Sequence, residues 1–115
     1  MEARELRIGN LVAFYYGDEG LLAEKVNYND LEFIHQNPQL YKPIPLTEEW
    51  LLKFGFDIQL VEIVLGEFYL KKTENHFEYY CNNRVQIKYV HQLQNLYFAL
   101  TSKELEIIYM KPNKE

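Results

Sequence analysis

Apolar and polar positions alternate from the start of the chain: Leu6, Ile8, Val12, Phe14 and Tyr16 fall on one side of an extended segment, and Arg7, Gly9, Ala13 and Tyr15 on the other. A period of two predicts a strand over Leu6 to Tyr16. Gly17-Asp18-Glu19-Gly20 reads as a turn, and Leu21 to Val26 and Leu31 to His35 read as two further short strands separated by Asn27-Tyr28-Asn29-Asp30. Residues 1–36 are therefore expected to form a three-stranded β-meander. Its opening, with Ile8-Gly9-Asn10-Leu11-Val12 entering the first strand, looks like the start of a small SH3-like barrel.

A helix is predicted over residues 47–55. Thr47 suits the N-cap, Glu48 and Glu49 put negative charge in the first turn, and Leu46 can staple onto Leu51. Pro43 and Pro45 keep the approach extended. Gly55 suits a left-handed C-cap, with Phe56 folding back onto Leu51. Two turns are marginal alone, so Trp50, Leu51 and Phe54 are expected to dock on a core.

Residues 57–110 are expected to hold an antiparallel sheet with a helix over 90–100. In the hairpin around Cys81-Asn82-Asn83-Arg84-Val85, a three-residue loop sets Cys81 against Val85, Tyr79 against Ile87 and Phe77 against Tyr89, with Glu78 opposite Lys88; an asparagine takes the left-handed position. A two-residue loop would instead put Phe77, Tyr79 and Cys81 on the face of Arg84, Gln86 and Lys88. The preceding hairpin pairs Leu70 with Tyr79 and Phe68 with Cys81, placing Lys71 opposite Glu78 and Tyr69 beside Tyr80. One face is then apolar, and the other carries Tyr69, Lys71, Glu78, Tyr80, Gln86 and Lys88. From Val90 the spacing becomes helical through Val90, Leu93, Leu96, Tyr97 and Leu100. Leu105, Ile107 and Tyr109 alternate with Glu104, Glu106 and Ile108 as a last strand, although Thr101 and Glu104 could alternatively open a capped helix. The sum is an α+β fold.

Composition narrows the chemistry. At 115 residues the chain is expected to be one domain with a core that needs no staples. Cys81 is the single cysteine, which fits a reducing, cytoplasmic setting, and no apolar run approaches membrane-spanning length. Twelve Lys and Arg against 17 Asp and Glu give a net charge of -5, which argues against wholesale contact with a nucleic-acid backbone. Ten tyrosines, seven phenylalanines and one tryptophan bring the aromatic content to 16%, suited either to a β-rich core or to a face on which planar ligands stack.

His35, His76 and His91 lie far apart, so no metal site is expected, and Cys81 is expected to be buried and inert. The five glycines are isolated and cradle no phosphate. No catalytic or cofactor signature is present. Two clusters invite binding. His91, Gln94 and Asn95 lie within one turn of each other on the predicted helix and carry donors and acceptors fit for a base edge or a peptide backbone, or for neighbouring loops of the same chain. Tyr69 and Tyr80, flanked by Lys71, Arg84 and Lys88, offer aromatic faces and cations for a nucleotide-like ligand, or a buried contact between copies.

Three strings carry a family resemblance: Glu5-Leu6-Arg7-Ile8-Gly9-Asn10-Leu11-Val12, Pro45-Leu46-Thr47-Glu48-Glu49-Trp50-Leu51-Leu52-Lys53-Phe54-Gly55-Phe56 and Val90-His91-Gln92-Leu93-Gln94-Asn95-Leu96-Tyr97-Phe98-Ala99-Leu100-Thr101. Across most of its length the chain resembles a family of small uncharacterised proteins from Bacteroidetes and their prophages and mobile elements. That resemblance implies a genomic setting and no mechanism; the family often has glycine where this chain has Ser102. The expected function is a non-catalytic accessory binding protein, without cofactor, that sequesters a nucleotide-like ligand to counter host defence. The alternatives are an adaptor or inhibitor that binds a host protein, homo-oligomeric in form, and a nucleic-acid contact through the SH3-like meander.

Overall fold

The chain builds an α+β fold from two antiparallel sheets and, among the described residues, three α-helices, in a computed structural model that describes residues 1–17, 20–60, 62–79 and 85–108. The first sheet contains β1 (Leu11–Tyr15), β2 (Leu21–Lys25) and β3 (Tyr41–Lys42) in the order β2-β1-β3. Helix α1 (Asp30–Gln36) lies between β2 and β3 in the chain. Helix α2 (Glu48–Lys53) leads into the second sheet, whose strands β4 (Asp57–Ile58), β5 (Ile63–Leu65), β6 (Phe68–Lys72), β7 (Phe77–Tyr79) and β8 (Val85–Ile87) follow one another in sequence order. Helix α3 (Val90–Thr101) covers the core.

The segment around α2 forms as its residues dictate. Thr47 Oγ1 accepts a hydrogen bond from the Trp50 amide at 3.3 Å. At the other end the Phe56 amide donates to the Leu51 carbonyl and the Gly55 amide to that of Leu52, both at 3.0 Å, which is the paired Schellman arrangement. Gly55 has φ +94°, and an added Cβ there would also collide with the Ile108 side chain.

The N-terminal expectations need correction. Leu31 to His35 is not a strand: Asp30 accepts the Asn27 amide on its carboxylate at 2.8 Å and opens α1, and Ile34 is buried three residues after Leu31. Five residues fit both periods, and the turn chemistry decides for helix. The third strand is β3, paired on the far side of β1, so the meander on which the SH3-like reading rested does not form. The first strand also starts later than Leu6. Ala3–Glu5 is a 3-10 turn, and Gly9 and Asn10 together face Val26, a bulge that uses the +98° φ of Gly9.

In the second sheet Leu70 pairs with Tyr79 and Lys71 with Glu78, as expected. The next pairing is displaced by two residues: Phe77 faces Ile87, Glu78 faces Gln86 and Tyr79 faces Val85, in place of Tyr89, Lys88 and Ile87. A slip of two keeps every side chain on its face, which is why the division into faces survives the error. The expected loop at 82–84, Cys81, and the Phe68–Cys81 and Tyr69–Tyr80 pairings lie outside the described residues. No strand follows α3 among the described residues. Ser102 ends the helix at φ +63°, where glycine is less strained, and Leu105 is buried in the core while the Ile108 amide donates to the Lys53 carbonyl at 2.9 Å.

Strand β1 divides two hydrophobic clusters. Val12 joins Val26, Ile34 and Tyr41 on one face, and Leu11 and Ala13 pack on the other against the main core of Leu51, Phe54, Phe68, Leu70, Ile87 and Leu93. Many of the aromatics fill these cores: Phe14 and Tyr41 have ring centroids 4.8 Å apart, and Phe68 packs on Tyr79 at 4.7 Å and on Tyr97 at 5.2 Å.

Candidate functional site

Helix α3 places the predicted polar cluster against the start of β1. The β1 ladder towards β3 ends before Leu11, leaving that amide without a strand partner, and Gln94 supplies one: its Oε1 accepts the Leu11 N–H at 2.8 Å while its Nε2 donates to the Gly9 carbonyl at 3.2 Å. Asn95 Oδ1 accepts from Asn10 Nδ2 at 2.9 Å and from Arg7 Nε at 3.0 Å. The Arg7 guanidinium lies 4.4 Å over the Phe98 ring and reaches Glu104 at 2.5 Å. Gln94 thus bonds to the chain's own backbone, and Asn95 to the side chains of Arg7 and Asn10. Arg7 and Asn10, which complete this clamp, were not singled out from the sequence, because nothing local to them points 80 residues downstream.

His91 is 2% exposed and lies on the floor of an open groove of about 530 Å³ bounded by Glu5, Gln86, Gln92 and Leu96. Its Nε2 stands 3.6 Å from Glu5 Oε1, its ring is stacked with Tyr89 at 6.0 Å, and its Nδ1 is buried with no hydrogen-bond partner among the described residues. Burial lowers the pKa below the ordinary histidine value, and Glu5 offsets this only in part. The unfolded chain therefore binds the extra proton first. This residue's contribution to stability is complete above about pH 6.5, shrinks as the pH falls below that value, and levels off under the folded-state pKa. Urea titrations at about pH 7.5 and about pH 5 should show a larger acid-induced loss for the wild type than for His91→Gln. Equal losses would mean that the ring is hydrated.

The second predicted cluster sits elsewhere. Tyr69 is 42% exposed on the face of β6 opposite Phe68 and Leu70. Lys71 stands across from Glu78, whose carboxylate is 3.1 Å from His76 Nε2. Lys88 is exposed, and its amide donates to Gln92 Oε1 at 2.8 Å. Among the described members of this cluster, Tyr69, Lys71 and Lys88 do not border the His91 groove. Tyr80 and Arg84 lie outside the described residues.

The site that sequence reasoning passed over is the outer edge of the first sheet. Among the described residues, strand β2 pairs with β1 on one side only. The Tyr16 amide donates to Gly20 and the Val26 amide to Asn10, both at 2.8 Å, which sets the alternation: residues 22 and 24 turn their main-chain groups to β1, and Leu21, Ala23 and Lys25 turn theirs away from it. Leu21 and Leu22 are 47% and 44% exposed, and Tyr15, Tyr16 and Phe33 add exposed apolar surface to this end of the molecule. The available signal was the unbroken run Leu21-Leu22-Ala23, which does not alternate as a half-buried strand should.

Among the described residues no group of three His, Cys, Asp or Glu side chains could hold a metal ion, and no helix is long and apolar enough to cross a membrane. Comparison of the chain with protein-family models, with curated proteins and with solved structures finds no match in any of the three.

Proposed function

We propose that the protein is a non-catalytic interaction module that takes a β-strand of a protein partner on the open edge of β2. The observation that carries this reading is the exposed Leu21-Leu22-Ala23 edge with outward main-chain groups at Leu21, Ala23 and Lys25. Such an edge offers hydrogen bonds for affinity and alternate side chains for specificity, and proteins ordinarily blunt it when it has no partner. In the phage or mobile-element setting that the resemblance implies, the module would act as an adaptor or inhibitor. Immobilised wild type and Leu22→Lys should capture different sets of proteins from a host lysate, the variant losing the specific ones. Identical sets would reject the edge as the interface.

A second reading, capture of a nucleotide-like ligand, draws on Tyr69, exposed on the same face as Lys71. Native mass spectrometry with cyclic and linear nucleotides tests it: no mass shift rejects it, and a shift abolished in Tyr69→Ala supports it.

A further inference from the structure

Resting on the interaction-module reading, we infer that the strand taken by β2 is β2 of a second copy of this chain, antiparallel across a two-fold axis at Leu22. The alternation along the edge restricts the choices. Hydrogen-bonded pairing requires outward-facing residues to meet outward-facing residues, so odd-numbered positions of β2 in one copy must stand opposite odd-numbered positions in the other.

Three antiparallel registers keep most of the strand paired. With Glu24 on the axis, two carboxylates oppose one another, which is unfavourable for a directly facing pair. With Ala23 on the axis, Leu22 faces Glu24 and Leu21 faces Lys25, so apolar and charged side chains are mismatched. With Leu22 on the axis, Leu22 meets Leu22, Leu21 meets Ala23, and Glu24 stands opposite Gly20.

This last register follows from how the strand is divided. Its first three residues are apolar and its last two charged, so an antiparallel second copy shifted to centre on Leu22 joins apolar residues to apolar residues and keeps the carboxylates apart. A second copy satisfies this by symmetry, since a two-fold contact is self-complementary. The product is a continuous six-stranded sheet running through both copies. A five-residue edge buries less than the roughly 1,600 Å² of a standard interface, so the dimer is expected to be concentration-dependent.

Sedimentation equilibrium over a concentration series, with a cross-linking arm, tests the assignment. The wild type should pass from monomer to dimer. Ala23→Pro removes an amide that faces away from β1 and leaves the β1 ladder intact, and should weaken the dimer by roughly tenfold or more. In a Cys81→Ser background checked by circular dichroism, oxidised Leu22→Cys should form a disulfide dimer and Glu24→Cys should not, since paired positions on the axis lie about 4.5 Å apart. A wild type that stays monomeric throughout, while capturing another protein in an Ala23→Pro-sensitive way, overturns self-pairing and leaves the module reading standing. A dimer indifferent to Ala23→Pro that gives no Leu22→Cys cross-link overturns self-pairing through β2, and the absence of any Ala23→Pro-sensitive association, with itself or with another protein, overturns both. Cross-linking through Glu24→Cys in place of Leu22→Cys overturns the register.

Discussion

Replacing Gln94 with alanine is expected to destabilise the protein by about 3 kcal/mol, more than most single changes on this helix. The side chain is buried and joins α3 to the first sheet through bonds to Leu11 and Gly9. Alanine would leave the part-buried Leu11 amide and Gly9 carbonyl without their partner and open a cavity the size of an amide group. Stranded polar groups cost about 1–3 kcal/mol each, so the desolvation loss outweighs the lost contacts. Urea unfolding monitored by tyrosine fluorescence should show a lower midpoint with an unchanged slope. A loss under about 1 kcal/mol would show that water enters and replaces the amide.

A comparable effect is expected from Leu51→Ala, and almost none from its neighbour. Leu51 is wholly buried in the main core, whereas the adjacent Leu52 is about half exposed. Truncating Leu51 should cost about 3 kcal/mol, the usual range for a buried leucine, and Leu52→Ala less than about 1 kcal/mol. Thermal unfolding of the two variants side by side checks the direction in which α2 faces. Equal losses would mean that the helix is not docked as described.

How much of this was legible depended on the distance over which each determinant acts. The cap at Thr47, the turn at Gly55 and the pairing of Leu70 with Tyr79 depend on residues within about one helical turn or one hairpin, and they read correctly. Leu31 to His35 failed because a five-residue window holds too little periodicity to separate a strand from a two-turn helix. The register of Ile87 missed by two because the faces, which are what hydrophobicity reports, are unchanged by that slip. For the candidate sites the limit was direction. His91, Gln94 and Asn95 were recognisable as an unusual polar group, but whether they faced a ligand or the chain itself was decided by Arg7, Asn10 and Leu11, far away in sequence. The β2 edge was missed because burial cannot be judged for a strand until its neighbours are known.

The dependence of Leu11 on a side chain 83 residues further along has a consequence for biosynthesis. The strand at the centre of the first sheet leaves the ribosome well before α3, yet its edge stays unfinished until α3 has been synthesised and released. Closing so long a loop is entropically slow but adds little to the final free-energy cost. Nascent chains halted before Gln94 should therefore remain protease-sensitive, and native resistance should arise only once α3 has emerged.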